Sequence, residues 1–166
     1  MNKAEILKNF IEAIESELAI LKTAAKDTAN YATDPENKPE NKYDTRGLEA
    51  SYLAGAQAQR VAEMTDVLLC FKNYAVKFFH SENEIQKPSA AISISALVEV
   101  FSNEKTQFLL IMPLGGGQTI QFAGQTIQVV TPVSPLGKAL IGQTVGEIIT
   151  ILAGGAKREY EIASIQ

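Results

Sequence analysis

The polar stretch Ala32–Ser51, ATDPENKPENKYDTRGLEAS, separates two segments whose apolar residues recur at helical spacing. It contains two prolines, and its first large aliphatic residue is Leu48. Proline lacks an N–H donor and disfavours helical geometry in the residue before it, so Pro35 and Pro39 are expected to end the first helix. The stretch therefore predicts the far end of a helical hairpin, where five carboxylates are exposed: Asp34, Glu36, Glu40, Asp44 and Glu49.

Both flanking segments have the 3.5-residue period of a coiled-coil seam. The first predicted helix runs from Ala4 to about Ala29, and its stripe contains Leu7, Ile11, Ile14, Leu18, Leu21 and Ala25, widened by Ile6, Phe10 and Ile20. The second runs from about Leu48 to Phe79, with Asp44 or Thr45 as its N-cap and a seam of Val61, Met64, Leu68, Phe71, Ala75 and Phe78. Two seams joined by a short turn predict an antiparallel hairpin, a finger too thin to hold a catalytic pocket of its own.

After the polar segment 80–88, apolar residues alternate with polar ones, as in half-buried strands. Ser134, Pro135 and Gly142 are the N-cap, first position and C-cap of one short helix. The predicted fold is α+β: a hairpin over 1–81 with its tip at about 33–47, then a small, mostly antiparallel sheet over 89–166. The predicted strands are 92–100, 108–112, 119–122, 126–130, 147–152 and 159–165.

The composition excludes several classes of function. Cys70 and His80 are the only residues of their types, so an internal disulfide and a His/Cys zinc site are ruled out. A net charge of −4 does not attract nucleic acid to the molecule as a whole. No apolar run reaches the ~18 residues of a membrane span, and the charged N-terminus lacks a signal-peptide core. We expect a cytoplasmic protein without membrane contact.

The C-terminal half resembles a known family. The segment VSPLGKALIGQTVGEIITI (133–151), followed by REYEIASI (158–165), looks like the C-terminal signature of the Gre-type transcript cleavage factors, which are GreA/GreB-like. The resemblance covers about 129–165. It implies an FKBP-like domain that docks on RNA polymerase, with the residues before the short helix (Val133, Ser134 and Pro135) facing the polymerase. It also implies a coiled-coil finger in the secondary channel, and transcription regulation and DNA binding as family attributes.

In that family an acidic pair at the finger tip helps to hold the second Mg²⁺ of the polymerase active site. The polymerase then cleaves its own backtracked transcript, so the factor is not itself an enzyme and has no cofactor of its own. Here Asp44 and Glu49 match the pair, and Tyr52 matches a following tyrosine. Contacts to the nascent RNA 3′ end are expected from Lys42, Arg46 and Arg60.

Alternatives remain open at each position. Asp44 caps the second helix, and Glu49 stabilises its positive N-terminus, in a purely structural interpretation that is compatible with metal binding. Ser134 is likewise a structural cap. The pair is five residues apart here instead of three, which motivates a second hypothesis: a Gre-like regulator that binds the secondary channel without stimulating cleavage. A peptidyl-prolyl isomerase and a plain coiled-coil interaction protein are further hypotheses.

Overall fold

The computed structural model describes residues 1–34, 46–74 and 91–166. Its elements are α1 (Lys3–Thr33), α2 (Arg46–Asn73), β1 (Leu97–Ser102), β2 (Lys105–Ile111), β3 (Thr119–Phe122), β4 (Gln125–Val130), α3 (Pro135–Leu140), β5 (Ile148–Ala153) and β6 (Ala156–Ile165). The chain divides into two compact units. One contains Ile11–Leu69, and the other combines Met1–Phe10 with Cys70–Gln166.

The helical unit is an antiparallel pair. Arg60 of α2 lies 3.9 Å from Glu17 of α1, between Nη2 and Oε1. Further along α1, Asp27 and Tyr31 share a groove with Glu49 near the start of α2. Residues later in α1 therefore lie opposite residues earlier in α2, so the two helices are antiparallel, as in the predicted hairpin.

The predicted seam of α1 is confirmed at Ile14 and Leu18, which are buried, and at Leu21 and Ala25, which are half-buried. Ile20 does not widen the stripe as predicted, since its side chain is 68% exposed. At ~100° per residue, a position two after Leu18 points almost to the opposite face of the helix.

The predicted seam of α2 is confirmed as far as the structure describes it. The seam begins earlier than predicted, at Ala50. Its residues are half-buried or buried: Ala50, Ala54, Gln57, Val61, Met64, Leu68 and Phe71. Ala75, Phe78 and the predicted helix end at Phe79 lie outside the described residues. Most of the predicted tip, 35–45, and the boundary segment 80–88 also lie outside them. The boundaries at 81 and 89 therefore stay predictions.

The C-terminal part is a six-stranded sheet in the order β3-β4-β2-β1-β6-β5. Neighbouring strands are antiparallel except β2 and β4, which run parallel with Phe108 opposite Ile127 and Ile111 opposite Val130. The α+β class with one short helix is confirmed, and the sheet is mixed rather than fully antiparallel.

All three hairpins close through two-residue turns in which both residues have positive φ. They are Asn103-Glu104, Ala123-Gly124 and Gly154-Gly155. Positive φ at both central positions defines the type I′ turn, whose twist matches that of the flanking strands. Glu104 has the bulkiest side chain at any of these positions and sits at φ 60°.

The first strand begins later than the predicted 92–100. Ser95 is buried with φ 67°, and its N–H donates to the Ile111 carbonyl at 2.7 Å. The chain thus turns at Ser95 before β1 begins at Leu97. Alternation alone does not reveal this turn, because the turn keeps Ile92 and Ala96 buried.

The two faces of the sheet differ in what covers them. The inner face carries the main core, where Val98, Leu109 and Ile162 pack with Leu140 of α3. The outer face buries Leu97 and Leu110, among others. The same compact unit contains the helix ends that carry these buried apolar residues: Ile6, Leu7, Phe10 and Phe71.

Two contacts hold the start of α1 against other parts of the same unit, one at the end of β6 and one at the end of α2. The Lys3 Nζ, on a residue only 2% exposed, donates to the Gln166 carbonyl at 3.3 Å. The rings of Phe10 and Phe71 lie 5.5 Å apart at an angle of 45°. The first ten residues are therefore part of the sheet-containing unit. Within the residues that the structure describes, no helix is long and apolar enough to cross a membrane.

Candidate functional site

At the hairpin tip, Glu49 lies in the first turn of α2 with an exposed side chain. A carboxylate there interacts favourably with the positive end of the helix dipole. Tyr52, one turn later, is 71% exposed. Asp44 and Lys42 lie outside the described residues. Arg46 begins α2, and its side chain is also outside them.

A groove of about 430 Å³ runs beside Glu49. Its lining joins Asp27, Thr28 and Tyr31 of α1 to Glu49, Ala50 and Leu53 of α2. Asp27 is therefore a second carboxylate at this groove, and the sequence reasoning missed it because it lies outside the polar break. The sequence did contain a signal for Asp27, because an antiparallel hairpin places residues 27–31 opposite residues 49–53.

Arg60 is well separated from Glu49 along α2. It lies eleven residues after Glu49 on α2, roughly 16 Å along the helix axis. Its guanidinium faces Glu17 across the hairpin. Both side chains are exposed, so the ion pair contributes little stability, about 0–1 kcal/mol. The predicted RNA contact at Arg60 thus lies roughly 16 Å along α2 from the predicted metal ligand Glu49.

The second candidate region is the turn before α3. Ser134 is the N-cap, as predicted: its Oγ accepts from the Gly137 N–H at 3.1 Å and donates to the Thr131 carbonyl at 2.7 Å. Pro135 follows as the first helical residue and is exposed. Val133 is 75% exposed. The three predicted docking residues are thus adjacent on one ordered turn.

Gly137 makes this turn possible. A Cβ built on Gly137 would lie 2.0 Å from the Thr131 carbonyl oxygen and 3.1 Å from the Ser134 Oγ. The carbonyl that accepts from Ser134 therefore passes directly over the backbone of α3. Sequence reasoning missed Gly137, because a glycine inside a helix ordinarily signals weakness rather than a close approach.

A cavity of about 520 Å³ opens next to the same turn. Its walls include Ser134, Pro135 and Leu136, and across from them Ile151 and Leu152. The other lining residues are Gly116, Gly117 and 128–131. The lining is mainly aliphatic and includes no aromatic side chain among the described residues, so the aromatic pocket that a peptidyl-prolyl isomerase needs is not found here.

The Val-Gly-Glu turn that carries part of the resemblance also has a structural explanation. Gly146 has φ 88°, a left-handed conformation that favours glycine. The Glu147 carboxylate accepts from both the backbone N–H and the hydroxyl of Thr144. This turn sets the start of β5 after α3.

The described residues do not form a complete metal site. Within 1–34, 46–74 and 91–166, no three His, Cys, Asp or Glu side chains lie close enough together to hold an ion. Mg²⁺ usually takes only one or two protein carboxylates and keeps several waters. The exposed carboxylate of Glu49 fits such partial ligation, in which the other ligands come from another molecule.

Comparison with known families gives one match. Residues 87–166 match the model of the transcription elongation factor GreA/GreB C-terminal domain. This range contains the turn before α3, the cavity and the whole sheet. The resemblance inferred from the sequence is therefore confirmed. No curated protein sequence matches the chain.

Solved structures to which the chain is similar include the GreA factor homolog 1 (Gfh1) of Thermus thermophilus, at 18% identity over 94% of both chains, with a TM-score of 0.36. Gfh1 of Thermus aquaticus is 16% identical over 93% of this chain and 92% of its own, with a TM-score of 0.37. A GreA/GreB factor from Nitrosomonas europaea is 15% identical over 71% of this chain and 91% of its own, with a TM-score of 0.35. These values are too low to transfer residue roles.

Proposed function

We propose, from the match of residues 87–166 to the GreA/GreB C-terminal domain model, that this chain is a transcription elongation factor of that family and a secondary-channel factor of bacterial RNA polymerase. It works in the cytoplasm, and it stimulates cleavage of backtracked transcripts and so rescues stalled elongation complexes. The polymerase performs the phosphoryl chemistry, and this protein supplies position and charge. The observation that carries the proposal is the family match over the domain that contains the Val133–Pro135 turn.

Docking is assigned to that turn and the adjoining cavity. Val133 presents an exposed aliphatic side chain, and the Ser134 cap fixes its backbone. An exposed apolar side chain on a rigid turn loses little entropy when a partner covers it, which favours binding. Pro135, exposed at the cavity, extends the apolar surface.

The tip chemistry is assigned to Asp44 and Glu49. A second Mg²⁺, shared with the polymerase active site, would activate the attacking water and stabilise the leaving oxygen. Glu49 lies in the first turn of α2 with an exposed side chain, which fits partial ligation of an ion held mainly by another molecule. Lys42, Arg46 and Arg60 are assigned to contacts with the nascent RNA, and Arg60 lies roughly 16 Å along α2 from Glu49.

Transcript shortening in purified stalled polymerase complexes tests this function directly. We expect the parent protein to shorten the RNA, and Asp44→Asn or Glu49→Gln to reduce the rate by at least tenfold while polymerase binding is retained. Asp27→Asn is the matched control: its carboxylate lines the same groove but is not assigned to the metal. No shortening by the parent at saturating concentration would favour the alternative, a Gre-like regulator that binds without stimulating cleavage.

Docking requires a separate test. Val133→Asp places a charge in the proposed interface, and we expect at least a tenfold weaker affinity for the polymerase. Val145→Asp is the control, because Val145 is also an exposed valine but lies beyond the opposite end of α3. Equal loss in both variants, or in neither, would remove the docking assignment from the Val133–Pro135 turn.

A further inference from the structure

Strand β5 is an edge strand that lacks two of the usual protections, charged residues and prolines. It is the last strand of the sheet order, and its sequence, IITILA, contains no charged residue and no proline. Edge strands of soluble proteins normally carry charges, prolines or bulges that prevent pairing with other strands. Ile148 and Leu152 on its outer face are 64% and 73% exposed.

The hydrogen-bond pattern shows which backbone groups face the open edge. The Ile162 N–H donates to the Glu147 carbonyl at 2.9 Å, so Ile162 directs its backbone groups toward β5. In an antiparallel ladder, residue pairs that exchange backbone hydrogen bonds alternate along the strands with pairs that do not. By the β5–β6 register, Ile149 and Ile151 therefore bond to β6, and the N–H and C=O groups of Ile148, Thr150 and Leu152 point outward.

We propose that β5 pairs with β5 of a second copy of this chain, antiparallel about a two-fold axis through Thr150. In this register Ile148 faces Leu152 of the second copy, and Thr150 faces itself. The residues with outward-facing backbone groups then meet each other, and they form about six inter-strand hydrogen bonds. Backbone and side-chain patterns thus specify the same pairing, and the two sheets join into one.

The charges on β6 agree with this pairing. Glu161 lies beside Ile148, and Lys157 lies beside Leu152. Across the strands of the joined sheet, the side chains on the outer face are then ordered Glu161, Ile148, Leu152 of the second copy and Lys157 of the second copy. Each such row has opposite charges at its two ends. The two Glu159 side chains end up roughly 14 Å apart, three strand spacings of ~4.8 Å, so their repulsion is largely screened at ~0.1 M salt.

The interface is small, which sets the concentration needed to detect it. One pair of six-residue strands buries well below the ~1,600 Å² of a standard stable interface. The expected dimer is therefore weak, and it forms as the concentration of the full chain rises toward ~1 mM, with Kd at the weak end of the ~1 µM–1 mM scale.

Sedimentation velocity with charged variants tests the two-fold axis. We expect the parent to shift from monomer toward dimer with concentration, and Thr150→Lys and Thr150→Glu each to stay monomeric, because each places like charges against themselves. An equimolar mixture of these two variants should recover dimer. Thr119→Lys, an exposed threonine on β3 at the opposite edge, is the control and should behave as the parent does.

Amide hydrogen exchange of the parent gives a readout that needs no variant. The N–H groups of Ile148, Thr150 and Leu152 should exchange several-fold more slowly at high than at low protein concentration, while that of Gln121 on β3 should not change. A parent that remains monomeric, association that survives Thr150→Lys, a mixture that does not recover dimer, or equal loss with Thr119→Lys would each overturn the proposal.

Discussion

Gly137 occupies the most constrained position near the proposed docking turn. The Thr131 carbonyl oxygen lies where its Cβ would be, at 2.0 Å, and the same carbonyl accepts from the Ser134 hydroxyl. A methyl group at this position forces the capping turn away from α3. The absence of a side chain at Gly137 thus sets the position of Val133.

We expect Gly137→Ala to lower the free energy of unfolding of the sheet-containing unit by about 3 kcal/mol, the upper end of overpacking costs. Guanidinium unfolding followed by circular dichroism measures the change. The same variant should weaken polymerase binding, because the turn carrying Val133 moves.

Gly55→Ala is the matched control on a helix. Gly55 lies inside α2, and no atom of the described residues lies within 4 Å of a Cβ built on it. Alanine there should raise the free energy of unfolding by about 0.5–1 kcal/mol, since glycine weakens a helix interior. If both glycine variants destabilised the protein equally, the contact with Thr131 would not explain the effect at Gly137.

At the residue scale, the sequence predicted what a side chain does locally and missed what depends on a remote contact. The Ser134 cap follows from Ser-Pro before a short apolar run, and the structure confirms it. The close approach at Gly137 and the position of Asp27 beside Glu49 depend on which segment passes nearby. Asp44, the residue with the largest assigned chemical role, stays a prediction.

Among the elements, α2 has one polar residue in its seam. The Oε1 atom of Gln57 is buried and has no hydrogen-bond partner among the residues that the structure describes. Replacing an unsatisfied buried amide by an aliphatic side chain of similar size removes its desolvation cost. Gln57→Leu should therefore stabilise the hairpin by about 1–2 kcal/mol, measured as a shift in the urea midpoint.

Gln59→Leu is the control for this change. Gln59 is exposed, and its Nε2 donates to the Glu63 Oε1 at 2.9 Å one turn later. Losing such a pair costs about 0.2–0.5 kcal/mol, so this variant should be slightly less stable than the parent. A similar gain in both variants would point to general hydrophobicity rather than the seam.

The β1–β2 turn offers a second prediction about an element. Glu104 holds φ 60° in a type I′ turn, a conformation that glycine adopts without strain and that Asn-Gly favours most. Glu104→Gly should raise the thermal midpoint, corresponding to about 0.5–1 kcal/mol. At the β5–β6 turn, Gly155 has φ 81°, a conformation that alanine adopts only with strain. Gly155→Ala should therefore lower the thermal midpoint.

Elements were predictable where one periodicity dominates. The hairpin seams, β3 and the capped helix follow from spacing and from cap residues. The late start of β1 and the parallel β2–β4 pair could not be predicted in this way. The positive φ of Ser95 and the pairing of β2 with β4 both depend on hydrogen bonds to residues distant in sequence. The early α2 seam was hidden by its small and polar residues.

At the scale of the whole molecule, the first ten residues belong to the unit that contains the sheet. Phe10 is 1% exposed and packs on Phe71. Phe10→Ala should therefore destabilise this unit by about 3–5 kcal/mol, read as faster amide exchange at Leu97 and Leu110. Ile20→Ala, at an exposed position of the same helix, should cost less than about 0.5 kcal/mol.

The position of β6 between β1 and β5 has a consequence for the newly made chain. The ribosome completes β6 after the other five strands of this sheet. The sheet is continuous only when β6 is in place between β1 and β5. At ~5–20 residues per second, roughly 8–30 seconds separate the synthesis of Phe10 from that of Ile165. During that interval Ile6, Leu7 and Phe10 are apolar side chains without their final surroundings, a natural target for chaperones. Translation speed should therefore affect the yield of folded protein more than refolding of the full-length chain suggests.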